Sequence, residues 1–349
     1  MEKYYTRACN FYYGQTSKDL LKKKQSIPFS CRKDISFDRI EIISRKSKKI
    51  IHINDIKNQN SFIKKKILLD LKNIKKKRLI EKLNISETPV LMGVLNLTPD
   101  SFSDGGKFNK KMKSFLQAKK LINDGCRILD VGGESTRPGS KTINENVEWK
   151  RIKFLLSKSK KLKTFLSIDT RKSFIMKNAL KYGFNLVNDV SGLNYDKSTI
   201  SFLRKTKIAF VIHHSQGSPE FMQLKPSYKN VVLDIYDYFE NKIKELRSKG
   251  INHNNIILDP GIGFGKNLKH NITLLNNISI FHSLGFPVML GTSRKKFIKE
   301  LSGNNDSIER LGGTIASSLF AVMQGVQILR VHDVNEVKQS IKVFNALRS

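Results

Sequence analysis

The sequence has few cysteines, and the three present, Cys9, Cys31 and Cys126, are odd in number and far apart. That excludes a disulfide framework and any recognisable zinc-ligand spacing, and it predicts a reducing, cytoplasmic setting. No window approaches the roughly 18 to 20 unbroken apolar residues that a membrane span needs, so no membrane association is predicted. The first residues, M-E-K-Y-Y-T-R-A-C-N, lack the apolar run of a secretory signal, and Glu2 and Asp19 count against a transit peptide. Two common glycine motifs are also missing. In 255–267, N-I-I-L-D-P-G-I-G-F-G-K-N, the phosphate-binding pattern G-x-x-x-x-G-K-[ST] fails because Pro260 takes the first glycine position and Asn267 follows the lysine. The dinucleotide pattern G-x-G-x-x-G fails because Gly261, Gly263 and Gly265 are spaced by two throughout.

Acidic residues are scarce as well: 30 Asp and Glu stand against 64 Lys and Arg, for a net charge of +34. A nucleic-acid-binding protein is one reading of that excess, and it requires basic residues concentrated on one face with aromatics between them. The lysine runs at 22–24, 64–66, 75–77 and 160–163 are instead spread along the chain, as on a solvated lysine-rich surface. No specific nucleic-acid partner is predicted. The field still favours anionic substrates, because charged cleft walls focus the potential.

What is present divides the 349 residues in two. Residues 1–88 read as a small basic N-terminal α+β segment without evident chemistry. A hairpin is predicted over 36–56 around the turn Lys46-Ser47-Lys48, and a helix over 59–83 from the spacing of Ile63, Ile67, Leu71 and Ile74. Ser86-Glu87-Thr88-Pro89 reads as a linker. From 89 to 349, short apolar runs that end in polar residues alternate with longer amphipathic stretches. The run ends are Asn96, Asp130, Asp169, Asn188, His214, Asp259, Ser293 and Arg330, and helices are predicted at 113–123, 147–158, 231–248 and 308–323. Eight such units in 89–349 predict a closed (β/α)8 TIM barrel rather than an open doubly wound sheet.

In such a barrel the strand ends converge on one cavity. Asp169, Asn188 and Asp259 together suit a flat heterocycle that carries N–H donors and carbonyl acceptors. Arg137 in E-S-T-R-P-G, Arg294 and Lys295 in T-S-R-K-K, and Arg330 with His332 in R-V-H-D form an anion-seeking group. Asn96 is a neutral oxygen donor suited to a Mg2+ that keeps most of its water and holds a pyrophosphate. The loops 98–107 and 132–141 read as lids over the first two strands.

Eight segments, in order, resemble the motifs of the dihydropteroate synthase family of pterin-binding TIM barrels. They are M-G-V-L-N-L-T-P-D-S-F-S-D-G-G at 92–106, L-D-V-G-G-E-S-T-R-P-G at 129–139, I-D-T-R-K, N-D-V-S-G, H-S-Q-G-S-P, D-P-G-I-G-F-G-K, S-R-K and R-V-H-D-V. The resemblance covers 89–349 and nothing before it. It implies condensation of 6-hydroxymethyl-7,8-dihydropterin pyrophosphate with 4-aminobenzoate to give 7,8-dihydropteroate and pyrophosphate, by a dissociative substitution with Mg2+. Carried over residue by residue, it implies a pterin site of Asp169, Asn188, Asp259 and Lys295. A 4-aminobenzoate site of Thr136, Pro138, Phe264 and Ser293 follows in the same way. Asn96, Arg137, Arg330 and His332 would meet the pyrophosphate, with Asn96 on the metal, and the catalytic group would be Asp169, Asp259, Lys295, Arg330 and His332. A homodimer through the last helices is also implied. Two departures stand out: His213 replaces a residue that is usually apolar, and Ile262 replaces a frequent Phe. The nearest rival is another pterin-binding barrel, a methyltetrahydrofolate:corrinoid methyltransferase, which has no need of E-S-T-R-P-G, S-R-K and R-V-H-D on an anion site.

Overall fold

The computed structural model of the chain describes residues 2–85, 89–98, 107–135, 139–217, 221–303 and 306–348. Its N-terminal segment runs β1 (Tyr5–Tyr13), α1 (Gly14–Lys22), β2 (Ile27–Pro28), β3 (Ile35–Ile43), β4 (Lys48–His52) and α2 (Ser61–Lys75). The predicted hairpin is β3–β4, with Ile40 opposite Ile51. Its larger partner, β1, pairs antiparallel along the other edge of β3 and has no clean alternation in sequence. The predicted helix starts where Asn60 accepts the Ile63 amide, at 2.9 Å, and stops at Lys75 rather than 83.

This segment sits on the barrel rather than apart from it. Tyr5 is fully buried with its ring edge on Tyr236, at 5.0 Å, and its hydroxyl donates to Asp237 at 2.9 Å. Ser279 donates to the Ala8 carbonyl at 3.0 Å, and the Arg78 guanidinium to the His282 carbonyl at 2.9 Å. Beyond α2 the chain passes under the barrel, where Ile80, Leu83 and Ile85 are buried. The predicted linker falls on residues 86–88, outside the described residues, and on Pro89.

The remainder alternates as expected: β5 (Val90–Asn96), α3 (Lys107–Asp124), β6 (Ile128–Gly132), α4 (Glu145–Ser157), β7 (Phe165–Asp169), α5 (Ser173–Leu180), β8 (Leu186–Asp189), α6 (Thr199–Thr206) and β9 (Ala209–His213). It continues with α7 (Val231–Ser248), β10 (Ile256–Asp259), α8 (Leu268–Asn276), β11 (Met289–Leu290), α9 (Lys296–Ser302), α10 (Leu311–Val322), β12 (Ile328–Val331) and α11 (Val334–Leu347). The eight parallel strands follow the order β10-β9-β8-β7-β6-β5-β12-β11, and a parallel bridge from Leu258 to Val288 joins the ends. This is the (β/α)8 barrel. The helices cover it with apolar faces, such as Ile235, Tyr236, Phe239 and Leu246 of α7.

Strand side chains alternate between the helix layer and the barrel interior. Ile128, Leu186, Val211, Ile257 and Ile328 point inward and form the lower interior layer, which Ile80, Leu83 and Ile85 seal from below. Two residues further along the same strands stand Asp130, Asn188, His213, Asp259 and Arg330. Those are the upper layer. The period of two that fills the foot with hydrocarbon also lines the mouth with polar groups.

Candidate active site

Asp130 of β6 anchors one half of the upper layer. It is fully buried and accepts from Ser167 Oγ at 2.6 Å, Asn188 Nδ2 at 3.0 Å and Arg330 Nε at 2.8 Å. The Arg330 guanidinium also donates to Asp169 Oδ2 at 2.7 Å, so one cation joins two carboxylates across three strands. Burial lowers the Arg330 pKa, but Asp130 and Asp169 outweigh it and hold the group above its ordinary value. Burial pushes the Asp169 carboxyl up against the opposing pull of Arg330.

These bonds determine which atoms are left over. Because Asn188 gives its amide N–H to Asp130, its Oδ1 carries no partner, and neither does Asp169 Oδ1; both atoms are buried. Buried acceptors left unmatched are costly, on the order of 1 to 3 kcal/mol each. Two neighbouring strands thus hold a pair of acceptors ready for N–H donors.

Asp259 supplies the other half. Its Oδ1 accepts the Gly261 amide at 2.8 Å, while burial raises its pKa. The glycine loop then folds back on β9. A Cβ on Gly261 would lie 2.0 Å from the His214 carbonyl oxygen, and one on Gly263 3.3 Å from Lys295 Cδ; both glycines have positive φ, which L side chains rarely adopt. This close approach brings the Lys295 ammonium over the Phe264 ring, 3.9 Å from its centroid. Behind the ring, His213 makes an edge contact at 4.6 Å and bonds the Val190 carbonyl at 3.1 Å, so this interior histidine has a polar partner.

Ser293 and His332 are paired, Oγ to Nδ1, at 3.0 Å, and Ser293 Oγ also accepts the His332 amide at 3.2 Å. Burial, with Arg330 nearby, pushes the His332 pKa down to about 3, so the ring is neutral near pH 7. Asn96 and Asp169 flank Gly132, where a Cβ would sit 3.5 Å from Asn96 Oδ1 and 3.3 Å from Asp169 Cβ.

The structure therefore gathers Asn96, Asp169, Asn188, Asp259, Phe264, Ser293, Lys295, Arg330 and His332 at the strand ends. Thr136, Arg137 and Pro138 lie outside the described residues, as does most of the 98–107 loop. Arg294 does not join the anion-seeking group: its guanidinium is engaged by both carboxylate oxygens of Asp333. Asp130 belongs to the site and was noted in sequence only as a run end. Its signal was the inward parity with Ile128, which needs the barrel to be read.

Known proteins resemble the chain over the barrel. The model of the pterin binding enzyme family matches residues 92–332. The chain is 40% identical over 266 residues to a dihydropteroate synthase of Neisseria meningitidis serogroup B, covering 75% of this chain and 93% of that one. It is 38% identical over 262 residues to that of Escherichia coli K12, covering 75% and 92%. Among solved structures, the dihydropteroate synthase of Yersinia pestis with a sulfonamide drug complex superposes with a TM-score of 0.72 at 36% identity, over 77% of this chain and 98% of that one. The enzyme of Xanthomonas albilineans in complex with 7,8-dihydropteroate gives 0.69 at 29% identity, over 76% and 96%.

Proposed function

We propose a division of labour at the barrel mouth from one premise: this chain belongs to the pterin binding enzymes and, within them, to the dihydropteroate synthases. It is a transferase that joins 6-hydroxymethyl-7,8-dihydropterin pyrophosphate to 4-aminobenzoate, giving 7,8-dihydropteroate and pyrophosphate. The observation that carries the residue roles is the pair of partnerless acceptors, Asp169 Oδ1 and Asn188 Oδ1. A pterin edge offers ring N–H and amino donors, which match such acceptors and remove their desolvation cost. Asp259 extends the same edge, and Lys295 donates to a ring carbonyl or nitrogen.

In the reaction the bond from the pterin methylene to the pyrophosphate oxygen breaks, and its electron pair leaves with pyrophosphate. The amine lone pair of 4-aminobenzoate then attacks the cationic methylene, and the nitrogen loses a proton. Asp169 and Asp259 offset the positive charge on the pterin, and Arg330 stabilises the leaving group. His332, being neutral, contributes a hydrogen bond rather than charge. Phe264 and Ser293, together with Thr136 and Pro138, form the 4-aminobenzoate pocket, with Arg137 on the anionic groups.

The proposal includes Mg2+. Asn96 offers one neutral oxygen beside Gly132 and Asp169, and no group of three or more His, Cys, Asp or Glu suited to a metal occurs among the described residues. Such a donor set fits an ion that keeps its water and is held mainly by the substrate. Bound there, the ion supplies charge to the departing pyrophosphate. A homodimer through the last helices is supported by the exposure of Phe320, Met323, Val343 and Leu347 on α10, α11 and their ends. A cytoplasmic setting is supported by three unpaired cysteines. Among the described residues no helix is long and apolar enough to cross a membrane.

The test is product formation from the dihydropterin pyrophosphate and labelled 4-aminobenzoate, with and without Mg2+. Dihydropteroate that requires the ion is expected. No product from folded, pterin-binding protein would refute the reading.

A further inference from the structure

Lys266 ends the glycine loop and lies behind it. The side chain is 3% exposed. Its terminal amine donates to the Phe264 carbonyl at 2.9 Å and is hydrogen-bonded to His214 Nδ1 at 3.0 Å. Tyr228 covers it, with the ammonium 5.9 Å from the ring centroid, and Tyr228 itself donates to the Gly265 carbonyl at 2.8 Å. Burial pushes Lys266 down to about 7, opposed by Asp259 of β10 and reinforced by Lys295 ahead of α9. The other titratable groups facing it are His213 and His214 at the end of β9 and His270 on α8, all with pKa values lowered first by their own burial. No role described above uses this lysine.

Its position has a mechanical meaning. The loop is fastened at its start by Asp259 on the Gly261 amide and in its middle by Asn271 on the Gly263 amide. Gln223 holds the Gly263 carbonyl and Gly261 the Phe264 amide, and Lys266 then holds the Phe264 carbonyl to His214, just past β9. The Phe264 ring, under Lys295 and against His213, is therefore oriented from the far side of the loop.

We propose that Lys266 is a positioning residue for the second substrate: it ties the Phe264 carbonyl to the His214 ring and so fixes the aromatic wall offered to 4-aminobenzoate. This inference rests on the proposed 4-aminobenzoate pocket. Two of the pterin acceptors, Asp169 and Asn188, are on β7 and β8 and are fastened separately, through Asp130 and Arg330, while Asp259 is held by its own bond to the Gly261 amide rather than by Lys266.

The test is steady-state kinetics of full-length Lys266→Met, His214→Phe and the double variant, with each substrate varied in turn. Methionine matches the length of the lysine stem and leaves no unpaired charge behind. Expected is a rise of about tenfold or more in KM for 4-aminobenzoate, with KM for the dihydropterin pyrophosphate within about twofold. The double variant should be no worse than the weaker single one, because both cut one tie. Should Lys266→Met not fold, Lys266→Gln, which keeps a donor on a shorter arm, is read the same way and is expected to show a smaller rise. Equal changes in both KM values, an unchanged KM for 4-aminobenzoate, or additive effects would each overturn the proposal. Wild-type protein that makes no dihydropteroate refutes the enzyme reading; active wild type without the split refutes this inference alone.

Discussion

Two layers of one barrel interior, about 7 Å apart along each strand, have opposite chemistry. The foot holds Ile128, Leu186, Val211, Ile257 and Ile328, closed from below by Ile80, Leu83 and Ile85. The mouth holds Asp130, Asn188, His213, Asp259 and Arg330 on the same strands. Backbone pairing is continuous through both, so the difference is entirely in side chains. The foot gains stability by excluding water without partners to satisfy. The mouth commits several ionisable groups to a low-dielectric place, where they hold one another by specific bonds and leave Asp169 Oδ1 and Asn188 Oδ1 unmatched. Stability is concentrated at one end and readiness to bind at the other.

Substitutions can break that contrast. The largest expected effect is at the mouth: Lys295→Ala should lower turnover by at least about 100-fold while the thermal midpoint stays within a degree or two of wild type. Near-normal turnover would remove Lys295 from the site. At the foot the reverse is expected. Leu83→Ala should cost about 2 to 4 kcal/mol by opening a cavity in the seal, read as a lower denaturation midpoint, with both KM values unchanged.

Acid sharpens the comparison further. His332 at the mouth and His282 beneath the N-terminal segment are both pushed by burial to about 3. The unfolded chain takes up protons below about pH 6.5 that these folded rings refuse, so their neutral burial costs nothing above that pH. Stability is lost as pH falls from about 6.5 toward 3, by up to about 1.4 kcal/mol per pH unit for each ring. Urea midpoints at pH 7, 6 and 5 measure it, and a flat series would show that the rings protonate in place. The smallest effect is expected at the rim of the N-terminal seat. Lys3 bonds Asp237 and Glu240 at 2.6 and 2.8 Å while 41% exposed; Lys3→Ala should cost less than about 1 kcal/mol, a shift barely resolved by calorimetry.

Much of this was legible in the sequence because each barrel strand carries its own signal, an apolar run that ends in a polar residue. The α7 bounds agree with the predicted 231–248, since both its cap, Asn230, and its stop, Gly250, are local. The site residues were legible for the same reason, as strand ends. What escaped notice depends on partners remote in sequence. β1 is shaped by α7 and by β3, so its own residues alternate poorly. Arg294 stands beside Lys295 in sequence, yet it turns away to Asp333, and no local pattern distinguishes the two. Asp130 lies two residues before the end of its strand, and only the ring of neighbours shows that it faces in.

The seat of β1 has a consequence for synthesis. Tyr5 lies 232 residues ahead of Asp237, the carboxylate that receives its hydroxyl. At about 5 to 20 residues per second, the first strand waits roughly 10 to 50 seconds after it is made before α7 has been made. Throughout that interval β1 can pair with β3 but cannot bury Tyr5 on the barrel, so a segment translated ahead of α7 docks only after it. The charged residues that follow β1, from Lys18 to Lys24 and along α2, keep the waiting segment in water.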